Sequence, residues 1–179
     1  MRSGFAFLAS LTIALALCPG CAGGGGRSTA GTPAVTPASN FRDVVLSDLD
    51  GHPTRLADAV GHQPALISFW APWCDPCVRE QPALQRLSRQ VSACGATVVG
   101  VAVGETRATI NRFVRARRLD FPQLADQDFH LSDALGQRRI PATLVLDANQ
   151  NVVFTGESLD ARAIAALKKA VARDDCAWP

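Results

Sequence analysis

The chain's most constraining feature is the run SFWAPWCDPCVREQP, residues 68–82, where an apolar segment ends at two cysteines spaced two residues apart. The preceding PALISFW is a continuous apolar run suited to a buried strand, and Leu84, Leu87 and Val91 then recur at helical spacing. Cys74 therefore falls at a strand-to-helix junction. A helix N-terminus stabilises thiolate through its dipole and its unpaired backbone N–H groups, so Cys74 is placed to act as a nucleophile. Cys77 follows one turn later on the same face and can close a small disulfide ring. Pro76 suits the first turn, where its missing N–H would have no partner anyway. Pro82 is expected to kink the helix. Alone, C-x-x-C is a moderate signal; at a strand-to-helix junction in an exported chain it is a strong one.

The rest of the chain supplies a sheet and its covering helices. RDVVLSDLDGHPTRLADAV reads as a strand, a turn at Asp50-Gly51 and a second short strand. ATVVGVAV is a further buried strand. TRATINRFVRARRL is a helix with Ile110, Phe113 and Val114 turned inward; its Arg112, Arg115, Arg117 and Arg118 form a solvated face or, alternatively, a docking patch. ATLVLDANQNVVF predicts a hairpin around Asn149-Gln150, and DARAIAALKKAVAR a final amphipathic helix. Strands alternating with helices, then a hairpin, give an α/β sandwich with a mixed sheet.

At the N-terminus, Arg2 precedes an apolar stretch, Gly4–Leu17, of signal-peptide length, shorter than the roughly 20 residues that span a bilayer. LCPGCAGGGG resembles the lipobox of bacterial lipoproteins, with Cys21 as the lipidated residue; Cys18 and Pro19 depart from the usual pattern, and simple cleavage nearby is the alternative. Residues 1–20 are thus expected to be a signal peptide, and 21–40, rich in Gly, Ser, Thr and Pro, a tether. Residues 41–179 are expected to fold. Without the first 21 residues the chain carries 17 basic and 16 acidic groups, a balance that argues against a nucleic-acid partner.

FWAPWCDPC resembles the thioredoxin superfamily, and CVREQP its exported TlpA/ResA-like branch, which includes cytochrome c maturation reductases. The resemblance runs from about Phe41 to Arg173. It implies a thioredoxin-like sandwich with an N-terminal β-hairpin and the branch's βα insertion, matched by VAVGETRATINRFVRARRLDFPQLAD. In RRIPATLVLDANQNVV, Pro141 matches the cis-proline that faces the disulfide, with Ile140 beside it. The buried aspartate of thioredoxin's central strand is replaced by Ser68, and the branch offers Glu80 as proton acceptor; a solvated helix carboxylate is the competing reading. Trp70 is expected in the core and Trp73 at the site, with Asp75 and Pro76. Asp75 sets a negative charge beside Cys74 that opposes the helix dipole and favours the disulfide, which predicts a reductant.

The implied activity is thiol–disulfide exchange on protein partners outside the cytoplasm, with apocytochrome c, a copper-site protein of oxidase assembly or general disulfide repair all open. A membrane or soluble thiol donor supplies electrons, and no organic cofactor is expected. Two readings compete. Zinc binding needs four ligands where one C-x-x-C supplies two, and His52, His62, His130 and Cys94 show no ligand spacing. A peroxidase on this fold would use a lone cysteine in another loop context. Setting aside Cys18, Cys21 and the redox pair leaves Cys94 and Cys176. In the inferred fold both lie near the edge remote from the site, so a structural disulfide is expected; two free thiols are the alternative.

Overall fold

The computed structural model describes residues 41–173 together with Cys176 and Trp178, so the expected signal peptide, tether and Cys21 lie outside the described residues. The described residues fall in one unit, Val35–Pro179. A short 3-10 turn, Phe41–Asp43, leads into strands β1 (Val45–Asp48) and β2 (Pro53–Arg55). Helix α1 (Leu56–Val60) precedes β3 (Ala65–Trp70), helix α2 (Asp75–Ser92), β4 (Thr97–Val103) and α3 (Arg107–Arg117). Then come β5 (Gln123–Asp126), α4 (His130–Ala134), the strand pair β6 (Ala142–Leu146) and β7 (Val152–Gly156), and α5 (Ala161–Val171). No helix among the described residues is long and apolar enough to cross a membrane.

Seven strands form one mixed sheet in the order β2-β1-β5-β4-β3-β6-β7. β3 runs parallel to β4 and antiparallel to β6, with Ser68 opposite both Gly100 and Thr143. All six residues of β3 are buried, as its unbroken apolar sequence requires of a strand covered on both faces. Alternation then divides the core. Ala65, Ile67 and Phe69 pack with Leu56, Val60, Leu131 and Leu135 on one face. On the other, Leu66 meets Leu84, Leu87 and Val91 of α2 and Ala163 and Leu167 of α5.

Local chemistry sets the element ends. The Thr106 hydroxyl accepts from the Thr109 N–H and starts α3; the Asp160 carboxylate accepts from the N–H groups of Arg162 and Ala163 and starts α5. The Asp147 carboxylate accepts from the Asn149 and Asn151 N–H groups and shapes the expected hairpin turn. α2 continues through Pro82, whose missing N–H leaves the Val78 carbonyl without its helical donor. Three elements go beyond the sequence expectation. LADAV, read as the end of a strand region, is α1, with Leu56 and Val60 four residues apart on the buried side. α4 and β5 were not distinguished, although β5 is fully buried between β1 and β4.

Candidate active site

β3 ends at Trp70, and the next three residues carry the chain to Cys74, whose N–H donates to the Ala71 carbonyl at 3.1 Å. Cys74 is the N-cap of α2: its backbone is extended (φ −88°, ψ 97°) and its Sγ accepts from the Cys77 N–H at 3.3 Å. A sulfur thus occupies the position where a hydroxyl or carboxylate ordinarily caps a helix, facing the donors that favour negative charge there. Cys74 and Cys77 are joined as a disulfide, with Cα atoms 5.3 Å apart. Both are buried, but unequally: Cys74 is 6% exposed and Cys77 1%. An incoming partner therefore meets Cys74 first. Asp75 and Pro76 fill the first turn and are exposed.

The loop before β6 closes the site. The Ile140–Pro141 peptide is cis. Ile140 packs on the cluster that contains both cysteines, Trp70 and Ala71, which brings the proline loop against the disulfide. Trp70 is wholly buried; its Nε1–H donates to Gln123 Oε1 at 3.0 Å, and its ring lies 5.0 Å from that of Phe113. Trp73 is 62% exposed and forms the rim. Beside it opens a cavity of about 410 Å³ lined by Phe69, Trp73, Phe129, Arg138, Arg139 and Ile140. The site therefore combines a sulfur pair with a largely apolar groove whose charged rim is mixed: Arg138 and Arg139 stand with Asp128 and Asp133, and Arg138 pairs with Asp133 at 3.0 Å.

Glu80 lies three residues after Cys77, a neighbour on the helix surface. It is half-buried: Oε1 accepts from the Leu159 N–H at 3.3 Å, and Oε2 is enclosed without a partner. Burial pushes its carboxyl up from the ordinary carboxylate range, and the Leu159 N–H opposes this only in part. Ser68 and Thr143, cross-strand partners, are buried, and the Thr143 hydroxyl has no partner.

His52, His62 and His130 are all exposed. Among the described residues the one grouping of side chains close enough to share an ion is Asp48, Asp50 and His52, which contains no cysteine. Cys94, just past α2, is disulfide-bonded to Cys176, beyond α5. The sequence reading overlooked the groove wall contributed by Phe129, Arg138 and Arg139. Its one trace in the sequence is HLSDALGQRRIP, where Leu131 and Leu135 stand four residues apart, a single helical repeat before the proline loop and too little to define a helix.

A family model, described as AhpC/TSA family, matches residues 37–155. The chain belongs to that family. It is 34% identical over 125 residues, 69% of this chain and 71% of the relative, to the thiol–disulfide oxidoreductase ResA of Geobacillus thermodenitrificans. This places it with the ResA-type thiol–disulfide oxidoreductases, the branch that the C-x-x-C and cis-proline segments resemble. Among solved structures, DsbF of Mycobacterium tuberculosis, in mixed oxidised and reduced forms, matches with a TM-score of 0.61 and 28% identity over 73% of this chain and 94% of its own. A secreted disulfide oxidoreductase of the same organism, homologous to Escherichia coli DsbE, matches at 0.61 and 25% over 75% and 98%. These neighbours carry the same thioredoxin-like fold.

Proposed function

We propose that the protein is an extracytoplasmic thiol–disulfide oxidoreductase that reduces disulfides of partner proteins, tethered to a membrane by lipid on Cys21. The observation that carries the reading is the Cys74–Cys77 pair at the start of α2, packed against the cis-proline loop. A thiol donor first reduces the pair. The Cys74 thiolate attacks one sulfur of the partner disulfide, forming a mixed disulfide and releasing the partner's other sulfur as thiolate. Glu80 takes the proton of Cys77, and the Cys77 thiolate attacks Cys74 Sγ. The Cys74–Cys77 bond re-forms, and two electrons have passed to the partner. No organic cofactor enters this cycle.

The groove walled by Trp73, Phe129 and Ile140 suits an extended, partly apolar segment around the partner cysteines. The proposed partners are protein disulfides, with apocytochrome c, a copper-site protein of oxidase assembly and general disulfide repair as the three candidates. The apolar stretch Gly4–Leu17, read as a signal peptide, and the secreted neighbour support export. The decisive experiment is partner capture. Cys77→Ser should accumulate mixed disulfides through Cys74, and Cys74→Ser should abolish disulfide reduction. Full reduction of insulin disulfides by Cys74→Ser would overturn the assignment.

A further inference from the structure

A second cavity, of about 450 Å³, lies between α2 and the end of α3, lined by Gln81, Gln85, Arg86, Arg89, Arg117 and Arg118. Two features set it apart from an ordinary solvated face. Gln81 is 2% exposed, yet neither atom of its side-chain amide has a hydrogen-bond partner. Gln85 uses its Oε1 to accept from the Asp120 N–H, which leaves its Nε2 enclosed and equally unpartnered. Buried amides of this kind are costly unless something satisfies them. Around them stand four guanidinium groups with one carboxylate answering among the described residues: Arg89 pairs with Asp120 at 2.7 Å, whereas Arg86 and Arg118 make no ion pair with any described residue.

Complementing the α3 dipole accounts for the arginines of that helix's last turn but not for Arg86 and Arg89 on α2, nor for the amides. The charge is also local. Residues 41–179 carry 16 basic and 16 acidic groups, so a general basic surface does not explain the concentration.

We propose that this cavity binds a phosphate-type oxyanion. Guanidinium forks match phosphate oxygens in bidentate fashion, and a tetrahedral group has oxygens left to accept from the Gln81 and Gln85 amides. A carboxylate has one charge and two oxygens and leaves part of the set unanswered. The phosphate is either free or the headgroup of a lipid.

Calorimetric titration of the full chain with inorganic phosphate up to about 10 mM, against chloride at matched ionic strength, tests the site. Saturable heat is expected, with Arg86→Gln and Arg118→Gln each weakening it about tenfold, the loss of one charge-assisted contact. Gln81→Leu should weaken binding as well, and all three variants should keep disulfide exchange. Both arginines are exposed, so their loss leaves the fold intact; far-ultraviolet circular dichroism verifies this. Phosphatidylglycerol and phosphatidylcholine vesicles separate the sources. A preference for phosphatidylglycerol that is lost in the arginine variants assigns a headgroup; phosphate binding without vesicle preference assigns the free ion. Equal responses to chloride, binding unchanged in both arginine variants, or tighter binding of a polyglutamate peptide than of phosphate would each overturn the proposal.

Discussion

Replacing both Cys94 and Cys176 by alanine should cost far more stability than replacing both redox cysteines, and the structure sets the size of the difference. The Cys94–Cys176 bond closes a loop across 82 positions of sequence, against 3 for Cys74–Cys77. In the chain-entropy description, the long loop restricts the unfolded chain by about 4.5 kcal/mol and the short one by about 2 kcal/mol. Cys74, Cys77 and Cys94 are buried, at 6%, 1% and 5% exposure, and Cys176 is part-buried, so trimming sulfur to methyl costs no more in the long-loop variant than in the redox variant. The difference left to loop length is roughly 2.5–3 kcal/mol. With an unfolding entropy of about 2.1 cal/mol/K per residue, loss of the long loop alone lowers the midpoint of a folded part of roughly 140 residues by about 15 °C. Urea titration of both variants, monitored by circular dichroism, gives the two free energies directly. The buried Ala163 and Leu167 keep α5 docked in either variant, and disulfide exchange should survive in Cys94→Ala/Cys176→Ala. Two variants destabilised to the same extent would refute the reasoning.

Further outcomes follow from single side chains. Because burial raises the Glu80 carboxyl above 4.5, the folded state holds that proton more tightly than the unfolded state. Stability therefore falls as pH rises from about 4.5 through the higher folded value, an effect that solvent screening keeps small at this half-exposed position. Glu80→Gln should remove that fall in pH-dependent urea titrations and slow the release of mixed disulfides in single-turnover kinetics. Asp75→Asn, which deletes the charge beside Cys74, should raise the midpoint potential by about 10–20 mV in glutathione redox titrations; an unchanged potential would dismiss the role of Asp75. Gly100→Ala drives a methyl into the Gln123 amide that holds Trp70, and should cost about 1–3 kcal/mol by thermal unfolding.

The fold was legible wherever periodicity was strong. PALISFW and ATVVGVAV read as buried strands because strands covered on both faces carry no polar alternation, and α2, α3 and α5 read from their recurring apolar positions. The short elements were less visible. α1 and α4 span five residues each, too few for a helical period to declare itself, and β5 depends on β1 and β4 as neighbours that local sequence does not reveal. At the site, the cysteines and the proline could be placed from their motifs. The groove could not: Phe129 reaches it from a left-handed backbone position, φ 61°, set by tertiary context. Nor could the sequence show that Gln81, polar and mid-helix, would be buried without a partner.

Trp73 has a consequence of its own. The chain has three tryptophans and no tyrosine, so its ultraviolet emission comes from indole alone. Trp70 is wholly buried, whereas Trp73 stands 62% exposed directly before Cys74. Disulfides quench a neighbouring indole by accepting an electron from its excited state, and thiols do so far less. Opening the Cys74–Cys77 bond should therefore brighten Trp73 in the long-wavelength, water-exposed part of the spectrum and Trp70, which packs in the same cluster as both cysteines, in the blue-shifted part. The protein carries its own optical gauge of turnover, readable in a stopped-flow fluorimeter without a label.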